Sequence, residues 1–418
     1  MSAHTPMPAG LRVNGPRLLE SLSSLGQVGG LPGGGVNRLA LTDADRLGRD
    51  WTVARMRGLG LRVEVDAIGN VFGHLAGLED GPPVMTGSHI DTVRTGGLYD
   101  GNYGVLAGLE VVATLRDAGL RPHRPLAVAF FTNEEGARFQ PDMMGSLVCV
   151  GGLPLDQALA TRDADGLTVG DELARIGYQG TAPVGRPVVD SFIELHIEQG
   201  PVLEQQGKRV GVVEGVQGIS WTEFTVQGQS NHAGTTPMDL RHDAGLLAAQ
   251  VAVFARQLAL RMGGRQLATV GALTLSPNLV NVIPHTAVFT VDLRHTDAAL
   301  LAQAEAELWA FASQAAQAEG VQLHSRSLAR FDPVAFDPLV VDLVAQQVQA
   351  LGCSHLRMPS GAGHDAQMLA RMCPAGMIFV PSAGGLSHNV REHTPPDDLV
   401  LGAQLLLQVM WALAHRRA

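Results

Sequence analysis

With 418 residues, the chain exceeds what one ordinary hydrophobic core organises, so two domains are expected. Hydrophobic residues make up 45% of it, which excludes a disordered polymer. A formal net charge of −10 goes against the clustered Lys and Arg that phosphate binding needs, so no nucleic-acid partner is expected.

The opening segment, MSAHTPMPAGLRVNGPRLLE, has no basic stretch followed by an apolar one, so no secretion leader is expected. Asn14 before Pro16 predicts a capped helix over RLLESLSSLG, because Asn caps well and Pro tolerates the first turn. The Gly-rich stretch 29–35 reads as a loop without phosphate-binding spacing. Residues 42–58 carry apolar side chains at helical spacing, 61–65 alternate as a strand, and 66–70 form a turn. Next come a short strand at 83–88 (PVMTGS) and a small-residue helix at 101–115. The continuous apolar run at 126–132 (LAVAFFT) marks a strand buried on both faces, and a further strand is expected at 191–195.

The pattern changes near Gly215. Half-buried strands at 221–227, 266–275 and 288–294, with helices at 243–262 and 298–319, read as a small α+β sandwich of the ferredoxin-like kind. After Arg330, helices and an apolar strand at 377–380 return, and the apolar stretch 405–414 is too short to cross a bilayer, so no membrane partner is expected. The expected fold class is α/β. A mixed-sheet catalytic domain covers 1–214 and 331–418 and is interrupted by an inserted α+β domain over 215–330. Cys149, Cys353 and Cys373 form no CxxC pair, which argues against a thiolate metal site and suits the cytoplasm.

Chemistry-bearing residues stand where the predicted apolar strands end. His89 and Asp91 follow PVMTGS, Glu134 and Glu135 follow LAVAFFT, His196 follows SFIEL, and His388 follows MIFVPSAGGL. Ligand sites in open α/β sheets gather beyond such strand ends. A pair of divalent cations roughly 3.5–4 Å apart needs a carboxylate that spans both, and Asp100 in GGLYDGNYGV is the candidate. The expected metal ligands are therefore His89, Asp100, Glu135, His196 and His388. Three imidazoles with two carboxylates suit zinc first, then manganese, cobalt or nickel. Asp91 is placed to fix the His89 tautomer. Glu134 is left to take a proton from water and return it to a leaving nitrogen. Any one of these histidines alone is more often a core or surface residue than a ligand; their joint placement outweighs that reading.

At these residues the chain resembles the group of N-carbamoyl-L-amino-acid hydrolases, allantoate amidohydrolases and β-ureidopropionases within the M20-type metallopeptidase clan. The segments GSHIDTVRTGGLYDGNYGVLAGLE, TNEEGARF, ELHIEQGPVLE, SNHAGTTPMDLRHDA, NVIPHTAVFTVDLR, SGAGHDA and SHNVRE carry the resemblance in that order. ELHIEQG and NHAGTTPM are specific to the ureido-cleaving branch, as against peptidases and N-acyl amino acid deacylases. The resemblance implies the same five ligands for two metal ions, and Glu134 as general base. It implies an oxyanion-stabilising His232 that reaches the site from the partner subunit. It also implies that Asn281 and Arg294 hold the carboxylate of a small ureido substrate, that Gln199 and Gly363 line the pocket, and that the inserted domain is a lid and a homodimer interface. His364 and Asp365 in SGAGHDA either back the metal ligands, order their loop, or have no role. Val390 stands where the last motif usually has Pro, which leaves the rigidity of the His388 loop in question.

Overall fold

The computed structural model describes residues 7–185 and 187–416. The chain divides into two compact units, one formed by Met1–Gly215 with Ala335–Ala418 and the other by Val216–Val334.

The first unit opens with helix α1 (Gly15–Gly26), whose Asn14 side chain accepts the Arg17 amide, and α2 (Asp43–Gly58), capped by Thr42 onto the Asp45 amide. These caps satisfy amides that a helix start leaves without partners. Strands β1 (Arg62–Val65) and β2 (Val71–Leu75) form a hairpin around the Asp66–Asn70 turn. There the Asp66 carboxylate accepts the amides of Ile68 and Asn70. The hairpin partner β2 is absent from the sequence expectation, because Gly73 and His74 interrupt its apolar alternation.

Strand β3 (Val84–His89), helix α3 (Asn102–Asp117), strand β4 (Leu126–Phe131) and strand β5 (Ser191–Ile197) form the centre of the unit. All three strands are buried along their whole length, as two covered faces require. Between β4 and β5 lie three short helices, α4 (Met144–Cys149), α5 (Leu155–Ala160) and α6 (Val169–Ile176). The short α7 (Val202–Gln205) and β6 (Val210–Val216) complete the first segment.

The inserted unit runs β7 (Gly218–Gln227), α8 (Ala244–Met262), β8 (Leu267–Ser276), β9 (Thr286–His295), α9 (Ala298–Glu319) and β10 (Gln322–Phe331). Its antiparallel sheet has the order β10-β7-β9-β8, which is the ferredoxin-like arrangement. In β9 every second residue is buried, placing Ala287, Phe289, Val291 and Leu293 in a core with Leu247, Val251, Leu301 and Leu308. That alternation is what a sheet covered on one face imposes.

The chain then returns through β11 (Val334–Ala335), α10 (Pro338–Ala350), β12 (His355–Ser360), α11 (Asp365–Leu369), β13 (Ala375–Val380) and α12 (Pro396–Ala414). The large sheet has nine strands in the order β1-β2-β4-β3-β5-β13-β6-β11, with β12 paired to β6. Its middle, β4-β3-β5-β13, is parallel, and its flanking pairs β2-β4 and β13-β6 are antiparallel. The four parallel strands therefore end on one side, and that edge is where His89, Glu134, Glu135, His196 and His388 follow.

Helix α12 corrects one expectation. At 19 residues it is long and apolar enough to span a bilayer, but 72% of its apolar window is buried inside the protein. Leu405, Leu406, Leu407 and Val409 are fully covered, so α12 is a core helix and its hydropathy is explained by packing.

The Arg49–Asp45 pair ties α2 to the sheet. Both side chains are fully buried and 2.8 Å apart. Arg49 also donates to the Gly69 carbonyl and to Thr132 Oγ1, two residues before Glu134. Replacing Arg49 by Met leaves Asp45 a buried charge without its counter-ion, and the expected cost is about 3–5 kcal/mol. Chemical denaturation should show this loss, and the D45N/R49M double variant should recover a large part of it.

Candidate active site

The apolar strands deliver the polar side chains. His89 is the last residue of β3 and His196 lies one residue before the end of β5. Glu134 and Glu135 stand on a turn entered through Asn133, which has a positive φ of 55°. His388 lies on the loop between β13 and α12, also at positive φ. Asp100 immediately precedes Gly101 and α3. A Cβ on Gly101 would stand 2.4 Å from His89 Nε2, so only glycine leaves room for the imidazole there.

Asp100 is the geometric centre. Its Oδ1 lies 3.7 Å from His89 Nε2 and 3.2 Å from His196 Nε2, and its Oδ2 lies 3.2 Å from His388 Nε2. His388 Nε2 is also 3.2 Å from Glu135 Oε2. Two donor groups result, His89–Asp100–His196 and Asp100–Glu135–His388, each with its ligand atoms within 4.8 Å of one another. Asp100 belongs to both. The ring Nδ1 of His89 donates to the Asp91 carbonyl at 2.9 Å, and that of His196 donates to the Ile197 carbonyl at 2.9 Å. Both rings therefore turn Nε2 toward Asp100, the tautomer a metal ligand needs.

The Asp91 carboxylate does not hold the His89 ring as its sequence position predicts; it lies 4.0 Å from Nδ1, and the backbone carbonyl does that work. The carboxylate instead accepts the amides of Glu134 and Glu135, so it orders the turn that presents both. That turn points the two side chains apart. Glu135 reaches His388, and Glu134 Oε2 lies 3.4 Å from His89 Nε2.

The site is rich in negative charge. Asp91, Asp100, Glu134, Glu194, Asp365 and Glu392 are buried. Burial alone would lower His89, but the carboxylates of Asp91, Asp100 and Glu135 overcome it and hold the ring at about 9. Hydrogen bonds to Asp100 and Glu135 lift His388 to about 11. Burial, with Asp365, Glu135 and Asp100 nearby, pushes Glu134 well above the usual carboxylate range. Carboxylates that favour positive charge on these rings would equally favour a divalent cation at the same nitrogens, for which metal and proton compete. The donor set of N and O atoms without thiolate suits such ions.

Gln199, Ala362, Gly363, His364 and Asp142 join these residues around a cavity of about 120 Å³. Gln199 donates to Asp100 Oδ2 at 3.0 Å and to Ser387 Oγ at 3.2 Å. His364 meets His196 edge to face with ring centres 4.6 Å apart and meets Ser360 Oγ at 2.9 Å. Burial pushes its pKa well down, so it is a neutral ring that backs His196.

The remaining residues lie in the inserted unit. His232 and Asn281 come together there: His232 forms a bridge with Val282, and the Ala233 amide donates to the Asn281 carbonyl. The exposed His232 ring accepts the Gly234 and Thr235 amides at Nδ1, which places its proton on Nε2. Arg294, near the end of β9, pairs with Asp292 at 2.9 Å.

Glu392, the end of the SHNVRE motif, finds its contacts here, and Arg38 and Asp142 are residues that the sequence did not single out. Glu392 accepts the Tyr99 and Asp100 amides and holds Ser387, bracing the shared carboxylate. The fully buried Arg38 donates to the Ile90 carbonyl, between His89 and Asp91, and to Asn102 Oδ1 beyond Asp100. Asp142 lines the cavity. Neither Arg38 nor Asp142 sits in a spacing that announces chemistry.

Residues 85–412 match the model of peptidase family M20/M25/M40. An N-carbamoyl-L-amino-acid amidohydrolase of Rhizobium meliloti is 42% identical over 405 residues, 97% of each chain. The crystal structure of an amidase of the hydantoinase/carbamoylase family from Burkholderia multivorans superposes with a TM-score of 0.95 at 44% identity, covering 98% of this chain and all of the other. The chain is an M20-family hydrolase of the hydantoinase/carbamoylase group. An allantoate amidohydrolase of Bacillus subtilis is 35% identical to this hydrolase over 410 residues, 95% of this chain and 97% of the relative. The family and the buried donor groups together point to metal ions in this hydrolase, which acts on C–N bonds.

Val390 finds an explanation in the same hydrolase. It packs on the Gly-rich loop, where a Cβ on Gly35 would stand 2.4 Å from Val390 Cγ1 and 2.7 Å from the Gly96 carbonyl. The contact between these two loops supplies support for the His388 loop that Pro would supply through its ring. A Gly35→Ala variant is expected to displace that loop and lower bound metal, measured by elemental analysis. Adding Val390→Ala should recover part of the loss.

Proposed function

We propose that this hydrolase removes the carbamoyl group from N-carbamoyl-L-amino acids, with two divalent cations per subunit, zinc before manganese, cobalt or nickel. The observation that carries the reading is the Asp100 carboxylate, whose two oxygens face two separate donor groups while Glu134 stands beside one of them. The names of the relatives supply the ureido substrate. Allantoate is the second reading, favoured by the Bacillus subtilis relative; it too joins a ureido group to a carboxylate.

Held by His89, Asp100 and His196 and by Asp100, Glu135 and His388, the cations would supply Lewis-acid activation of a water and of the carbamoyl oxygen. Glu134 takes the proton from the attacking water and delivers it to the nitrogen that leaves. One C–O bond forms and the C–N bond to the amino acid breaks, giving free amino acid and carbamic acid, which falls to carbon dioxide and ammonia. His232, with its proton on Nε2, donates to the developing oxyanion. Arg294 and Asn281 hold the substrate carboxylate, for which a guanidinium fork is suited. Gln199 holds Asp100 in place, and Gly363 leaves the cavity open to the substrate.

A homodimer belongs to this reading, with His232 given to the partner's site. Its support is the inserted unit, whose edge strand β8 exposes Leu267 and Leu273 and whose helices expose Val253, Leu260 and Trp309. Apolar surface along an unpaired strand edge suits a second copy of the chain.

Glu134→Gln is expected to keep its metal while hydrolysis of N-carbamoyl-L-methionine, followed by ammonia release, falls about 10²–10⁴-fold. Retained turnover would remove Glu134 as the base. For the dimer, mixing inactive E134Q with inactive H232A should restore activity, since one site of the mixed pair keeps both groups. No recovery after verified subunit exchange would place His232 elsewhere.

A further inference from the structure

Asp142 is a carboxylate in the cavity that the proposed chemistry leaves unused. It lines the space shared by Glu134, Glu135, Gln199 and Gly363, yet belongs to neither donor group around Asp100. Among the described residues its side chain meets only its own backbone amide and has no other side chain as a partner. Burial raises its pKa, with no cationic side chain to offset that cost.

Its position is nevertheless fixed. The Met143 amide donates to the Glu134 carbonyl at 2.7 Å, and the Asn133 side chain donates to the Pro141 carbonyl at 3.2 Å. A Cβ on Gly136 would stand 2.8 Å from Asp142 Cα, so the turn after Glu135 is seated against it. On the other side Met143 packs against Gly363, where a Cβ would stand 2.9 Å from Met143 Cε. The Asp142 carboxylate is thus carried on the same rigid turn as Glu134.

A half-buried carboxylate held in a cavity with only its own amide as a donor keeps unused acceptor capacity that a ligand can fill. A substrate carboxylate cannot be that partner, because like charges repel. The ureido carbon must lie beside Glu134. What is left for Asp142 is the substrate's side chain. We propose that Asp142 is a specificity residue that accepts N–H donors from the far end of the substrate side chain, so that the hydrolase prefers N-carbamoyl amino acids ending in a guanidinium or a neutral ureido group over apolar ones of equal length. This assignment rests on the ureido-hydrolase reading above.

The test compares N-carbamoyl-L-arginine, N-carbamoyl-L-citrulline and N-carbamoyl-L-norleucine on metal-loaded wild type and D142N. Wild type should favour the arginine and citrulline substrates, the arginine one most if charge dominates and both equally if N–H donation alone is read. In D142N the arginine-to-norleucine ratio of kcat/KM should fall about 10- to 100-fold, the range of one charge-assisted hydrogen bond, chiefly through KM. A ratio within about twofold of wild type, or a wild type that prefers norleucine, overturns the assignment. So does loss of bound metal from D142N, which would make Asp142 a ligand. Calorimetric binding of L-arginine and L-norleucine separates the two layers. If no ureido compound is hydrolysed but L-arginine binds more tightly than L-norleucine in a manner lost in D142N, the hydrolase reading fails and Asp142 keeps its role.

Discussion

The structure of the site hangs on one carboxylate. Asp100 offers Oδ1 to His89 and His196 and Oδ2 to His388, so two donor groups share a residue and must keep one spacing. Much of the surrounding fold serves that sharing. Gly101 leaves the room His89 fills, Glu392 accepts the Asp100 amide, and Gln199 donates to Oδ2. Arg38 binds the carbonyl of Ile90 on one flank and Asn102 on the other, so the β3 terminus and the start of α3 move together. A displaced Asp100 would alter both groups at once, whereas a displaced His388 would alter one.

Charge balance explains why such a site can exist in a buried place. Carboxylates brought together in a protein interior repel and desolvate one another, and their pKa values rise unless positive charge answers them. Burial takes Glu392 to about 7 and Asp91 to about 6. The answering charge within the chain is modest: Arg38 is fully buried, and burial lowers it to about 10, partly offset by Asp45 and Asp91. The same carboxylates raise the imidazoles of His89 and His388. Cations at the two donor groups would relieve all of these groups together, which makes metal loading and stability of this edge a single problem.

Much of this was legible in the sequence, and the limits have physical causes. Fully buried parallel strands announce themselves as apolar runs, so β3, β4 and β5 and the residues just beyond them could be found. The alternation in β9 gave away the inserted sheet. The hairpin strand β2 and the short helices α4 to α6 could not be found in this way, because short elements get their stability from packing and not from pattern. In the site, a strand-end position names a ligand, and Glu392 is marked by its motif, but a support such as Arg38 acts across more than fifty residues and carries no local mark. Asp91 shows a subtler limit: its place beside His89 was readable, whereas the choice between its carbonyl and its carboxylate as the ring's partner depends on a turn only coordinates define.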